Sequence, residues 1–156
     1  MSKQKWFHRI MCVFCFLICV ACDDDSGDTG DGYLRSDHTS SESHRTGENC
    51  AECHAGGGSG GYVFTVSGSV YQLDLTTPYP QTTVDLMSGV NGSGERLLTL
   101  EVDRKGNFYT TEPIDLGAGV YAIVYSPTGT QFKQQPVSVG ACNSCHGVSS
   151  ARIYVN

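Results

Sequence analysis

The chain is poor in most of the features that carry chemistry. Its 156 residues show no phosphate-binding loop, catalytic triad, general base or activated nucleophile, which points to a carrier or binding role rather than an enzyme. Basic residues are scarce, ten Lys and Arg against sixteen Asp and Glu for a formal charge of −6. A chain this acidic lacks the electrostatic footprint that nucleic acid requires. Methionine occurs three times, and only Met87 lies beyond the first twenty-two residues. From Tyr62 to Asn156 no helical period is sustained, which excludes a helical bundle. The longest apolar run, Ile10 to Ala21, is too short to span a bilayer as a stable helix.

That run follows Lys3, Lys5 and Arg9 and gives way abruptly to "DDDSGDTGDG", the layout of an export signal over residues 1–21. "CVAC", Cys19 to Cys22, resembles the bacterial lipobox. The resemblance implies cleavage before Cys22 and lipidation of Cys22, although Cys19 stands where that pattern usually has Leu. Ordinary cleavage near Ala21 would instead release a soluble secreted chain. Three basic residues and no acidic ones lie in the signal, so seven basic and sixteen acidic residues remain, a formal −9. Such a charge can steer the protein toward a basic redox partner.

Residues 22–49 are rich in Asp, Ser, Gly and Thr and nearly free of apolar side chains. A segment of that composition cannot bury enough surface to offset its ordering entropy, so it is expected to be a flexible acidic tether. Residues 50–61 hold "CAECH" and a glycine-rich connection, 62–140 a β domain, and 141–156 "CNSCH" with a possible final strand. Within 62–140, "YVFTVSGSVYQLDL" and "TTVDLM" alternate apolar and polar residues, and "RLLTLEV", "NFYT", "GVYAIVYS" and "TQFKQQPVSV" follow between turn signals such as Asn91-Gly92 and Lys105-Gly106. The expected fold is all-β, a seven- or eight-stranded antiparallel β-sandwich flanked by the two cysteine motifs.

The stretch "VSGSVY…TTVDLMSG…LLTLEVDRKGNFYT…GVYAIVYSPTG" resembles the prealbumin-like (Ig-like) sandwich of carboxypeptidase regulatory-like domains, from about Val63 to Val139. The resemblance bears on the fold and implies no activity.

Eight cysteines are present. Cys12, Cys15 and Cys19 belong to the signal and Cys22 to its cleavage site, so Cys50, Cys53, Cys142 and Cys145 remain. All four fall in two C-x-x-C-H motifs, the pattern of covalent c-type haem attachment. Two thiols spaced this way reach the two vinyl groups on one porphyrin edge, and the adjacent imidazole falls under the iron. The chain thus resembles bacterial dihaem c-type cytochromes. The resemblance implies two covalently attached haems, thioethers at Cys50, Cys53, Cys142 and Cys145, and proximal ligands His54 and His146. His38 and His44 complete a set of four histidines for four axial positions, and are the candidate distal ligands. Met87 reads as sandwich core, continuing the alternation of Val84 and Leu86 only where its strand bends.

Other readings of the motifs stay open. Two C-x-x-C knuckles can hold structural zinc, although 92 positions separate Cys50 from Cys142 and zinc leaves the trailing histidines unexplained. Disulfides suit an exported chain, whereas a thioredoxin-like dithiol wants a βαβ context that is missing. The expected function is a dihaem cytochrome carrying electrons at the bacterial envelope, lipid-anchored on the periplasmic or outer surface, with other redox proteins or like cytochromes as partners. The alternative is an envelope-tethered β-sandwich binding or structural module whose cysteines bind zinc or pair as disulfides. A haem with one open position would add sensor or peroxidase-like behaviour.

Overall fold

The computed structural model describes residues 32–156. The expected signal, Cys22 and the first part of the expected tether lie outside these residues. Seven strands form two sheets: β1 (Val66–Tyr71), β2 (Thr83–Met87), β3 (Arg96–Glu101), β4 (Asn107–Thr110), β5 (Tyr121–Tyr125), β6 (Thr130–Phe132) and β7 (Ile153–Tyr154). One sheet has the order β4-β1-β7 and the other β3-β2-β5-β6. The chain is therefore all-β, two sheets enclosing one core, as the alternation of the sequence predicts. Among the described residues no helix is long and apolar enough to cross a membrane.

The core follows from the period-2 rule. Val66 and Val70 of β1, Val84 and Leu86 of β2, Leu98 and Leu100 of β3, Phe108 of β4 and Val124 of β5 form one buried cluster between the sheets, with Val155 after β7. The alternate residues of β2 face outward, where Asp85 accepts a hydrogen bond from Thr99 Oγ1 (2.7 Å) and pairs with Arg96 (3.0 Å). A register shift between Leu86 and Met87 bends β2, and beyond that bend Met87 is buried. Gly68 has a packing reason of its own. A Cβ there would lie 2.6 Å from Phe108 Cζ and 3.0 Å from Cys142 Cβ, so only glycine lets both pack over the strand.

Two features differ from the sequence expectation. First, β7 pairs with β1 in parallel (Val70 with Ile153, Tyr71 with Tyr154), so the sandwich is not wholly antiparallel. The chain crosses from one sheet back to the other before entering β7, and a strand arriving that way need not run antiparallel.

Second, residues 33–49 are docked along the β4-β1-β7 sheet and do not behave as a flexible tether. Thr111 N–H donates to Leu34 O (2.9 Å) and Ser36 N–H to Tyr109 O (3.0 Å), extending the sheet past the edge of β4. Further along, Arg104 N–H donates to Ser40 O, Lys105 Nζ to Ser43 O and Gly47 N–H to the Ser69 hydroxyl. The physical reason is that an edge strand offers unpaired backbone groups. A polar segment can be ordered by satisfying them without burying an apolar face. All six residues of β1 are consequently buried, the inner face by the second sheet and the outer face by this arm.

Candidate functional site

Each cysteine motif is one tight turn. Helix α1 (Ala51–His54) is a single turn closed by His54 N–H donating to Cys50 O at 2.9 Å. Cys50, Cys53 and His54 stand at i, i+3 and i+4 and so share one side of it. The second motif winds as a 3₁₀ turn, Cys142–Ser144, and closes in the same way, His146 N–H to Cys142 O at 3.0 Å.

Both motif histidines are oriented by a main-chain carbonyl. His54 Nδ1 lies 3.1 Å from Tyr62 O, and His146 Nδ1 lies 2.7 Å from Ala151 O. A carbonyl can only accept, so in each ring Nδ1 carries the hydrogen and Nε2 keeps its lone pair. An Nδ1–H donated to a backbone carbonyl is the usual outer-shell support of a metal-ligating imidazole, because it fixes the tautomer and the ring orientation. The glycine-rich connection serves the same end at His54. A Cβ on Gly60 would sit 2.5 Å from His54 Nδ1, so the loop closes over the ring only without side chains. His54 also stacks on Phe64 (centroids 4.2 Å, 16° between planes), which stacks on Tyr109 (4.9 Å).

The four motif cysteines are unpaired thiols. Cys142 turns toward the core beside Gly68, and burial, with a smaller contribution from nearby Cys50, pushes its thiol up to about 12. Burial also raises the Cys50 thiol, against a hydrogen bond with Ser67. Cys145 is exposed. Among the described residues no three His, Cys, Asp or Glu side chains converge as a metal cluster. A closed zinc site takes four convergent protein ligands, which these motifs do not assemble.

Two clefts accompany the motifs. One of about 220 Å³ is lined by Cys50, Cys53, His54, His44 and the aromatic rings of Phe64 and Tyr109. The other, about 530 Å³, opens between the two sheets, with His146 and Cys142 at its rim and Val66, Leu86, Phe108 and Val124 on its wall. Its volume lies within the range typical of ligand and cofactor sites. Phe108 and Tyr109 are neighbours on β4 and face opposite ways, so the clefts occupy opposite faces of the same sheet.

The motifs are also tied to each other, by a residue that sequence reasoning passed over. Asn143, a variable position inside the second motif, is 3% exposed. Its Nδ2 donates to Glu48 O (3.0 Å) and Ser69 Oγ (3.0 Å), and its Oδ1 accepts Ser69 N–H (3.2 Å). Ser69 Oγ donates to Asn107 Oδ1, whose amide donates to the Ser43 and Thr46 hydroxyls. This buried polar network joins the segment entering the first motif, the middle of β1 and the second motif. No local pattern marks Asn143; its role comes from partners far away in the chain.

The two candidate distal histidines separate. His44 lies beside His54, ring centroids 5.9 Å apart, and lines the first cleft. His38 lines neither cleft, and its Nδ1 bonds Val102 O (3.0 Å) with Nε2 3.9 Å from Glu101. Arg45 lines the first cleft, paired to Glu48, and Arg152 lines the second, stacked on Tyr71 at 4.6 Å. Comparison with protein-family models, curated proteins and solved structures gives no match.

Proposed function

We propose that this chain is a dihaem c-type electron carrier of the bacterial envelope. One haem is attached through Cys50 and Cys53 with His54 as proximal ligand, and the other through Cys142 and Cys145 with His146. The observation that supports the reading is that both motif imidazoles set Nδ1 within hydrogen-bond distance of a main-chain carbonyl, which in a neutral ring leaves Nε2 as the nitrogen free to ligate. Bound haem supplies one-electron ferric–ferrous cycling. The protein's part is to orient the imidazoles, to offer Phe64 and Tyr109 on one face of the sheet and an apolar wall on the other, and to hold the two motifs together through Asn143. The reading includes an export signal over residues 1–21, lipidation at Cys22, and exchange with other redox proteins or with like cytochromes.

The test is expression of the full chain with haem-maturation machinery, followed by a visible spectrum and an intact mass. The expected product is red, retains its colour through acid-acetone extraction, and carries two haem increments plus an acyl increment. A colourless chain with stoichiometric zinc, or with its four motif thiols paired, would overturn the reading.

A further inference from the structure

The two motifs are alike in sequence and unlike in what faces them. At the first, His44 stands across the cleft from His54. Imidazole nitrogens sit about 2 Å from a metal, so two rings sharing one metal from opposite sides hold their ligating nitrogens roughly 4 Å apart. The ring centroids of His44 and His54 lie 5.9 Å apart with 43° between their planes, which puts a second imidazole within reach of a metal held by His54. The backbone around His44 is already anchored, Ser43 O accepting from Lys105 Nζ and Arg45 O from Glu48 N–H.

At the second motif no counterpart exists among the described residues. His146 is the only histidine lining the larger cleft. His38 is bonded to Val102 O elsewhere on the sandwich, and Met87 is buried outside the cleft. Lys133 and Tyr154 do line it. The first is an ammonium without a lone pair, and the second is a phenol that must lose its proton to bind a metal. The wall opposite is built from Val66, Leu86, Phe108 and Val124. Beside that apolar wall the cleft also carries the cations of Lys133 and Arg152.

We propose that the two haem sites are unequal: His44 closes the first with a second imidazole, while the second, at His146, keeps one axial position open to a small diatomic molecule. The proposal rests on the dihaem reading above. It makes the first site the electron-transfer centre and the second the place where an external ligand meets the iron.

Carbon monoxide is the probe. The reduced, haem-loaded full chain is titrated with it, and the same sample is weighed intact to count haems. One carbon monoxide per two haems is expected. H44A is expected to take two, whereas H38A and the K133A/Y154F double variant remain at one. Oxidised wild type is expected to show one high-spin and one low-spin signal by electron paramagnetic resonance, and H44A to lose the low-spin signal. Uptake of none or two by wild type, or release of a second position by H38A instead of H44A, would refute the inequality while leaving the dihaem reading intact. A mass without haem would refute both.

Discussion

Replacing Asn143 with alanine tests whether the two motifs are held as one unit. The side chain is 3% exposed and makes three hydrogen bonds, to Glu48 O, Ser69 Oγ and Ser69 N. Ser69 Oγ would keep Asn107 and Gly47 as partners. The Ser69 N–H would be stranded inside the sheet, and Glu48 O would lose its amide donor. Each orphan costs about 1–3 kcal/mol, so with two of them N143A is expected to destabilise the fold by roughly 2–6 kcal/mol. For a domain of this size that corresponds to a fall in melting temperature on the order of 10 °C. Urea unfolding supplies the free energy, with S144A as the control, since the neighbouring Ser144 hydroxyl bonds only within its own turn, to Ala141 O and Cys145 Sγ. Hydrogen exchange gives the second readout. The Ser69 amide and residues 47–50 are expected to lose protection together, although 74 and 95 residues separate Asn143 from its partners. An N143A protein within about 0.5 kcal/mol of wild type, with residues 47–50 still protected, would refute the role assigned to this network.

Four further outcomes follow from the same structure. In the unmodified chain, an alkylating agent at pH 8–9 is expected to modify exposed Cys145 first and half-buried Cys142 last, because desolvation holds the Cys142 thiol protonated up to about 12; peptide mass mapping reads the order, and equal rates would contradict the placement of Cys142 against the core. The same raised value makes the folded state keep a proton that the unfolded chain releases above about pH 8.5, so Cys142 lowers stability as pH rises from there toward 12, and C142A is expected to flatten that alkaline decline. Asp74 is held below the usual carboxylate range by the Thr77 hydroxyl and the Thr76 and Thr77 amides. Its contribution is present above the unfolded value near 3.9 and is lost as pH falls below it, so D74N is expected to show a shallower acid decline in stability than wild type. G68A, whose Cβ would press on Phe108 and Cys142, is expected to cost about 1–3 kcal/mol by overpacking, read by urea unfolding.

Much of the β domain was legible because its signals are local. Alternation in "TTVDLM" and "RLLTLEV" marks β2 and β3, and Met87 is buried next to a register shift in its strand. The arm was not legible. Residues 33–49 look unfoldable when apolar burial is the only currency considered, yet Leu34, Ser36, Ser40 and Gly47 find backbone and hydroxyl partners on the β4-β1-β7 sheet. A similar limit applies to the histidines. His38 and His44 sit six positions apart in one polar stretch with nothing local to rank them, and the docking of that stretch sends one to Val102 and brings the other to His54.

What the sequence by itself determined, then, is everything that a short stretch of chain can enforce. The C-x-x-C-H spacing places two thiols and an imidazole on a single turn in both motifs, whatever surrounds them, because one helical turn spans those five residues. Strand positions and their inward faces follow from a two-residue period in the same way. Only the tertiary structure decided that the motifs share one sheet, that a buried asparagine links them, and that one faces a second histidine while the other faces an apolar wall. Those relations join residues dozens of positions apart, and they exist only once the sheets have paired and the arm has closed over them.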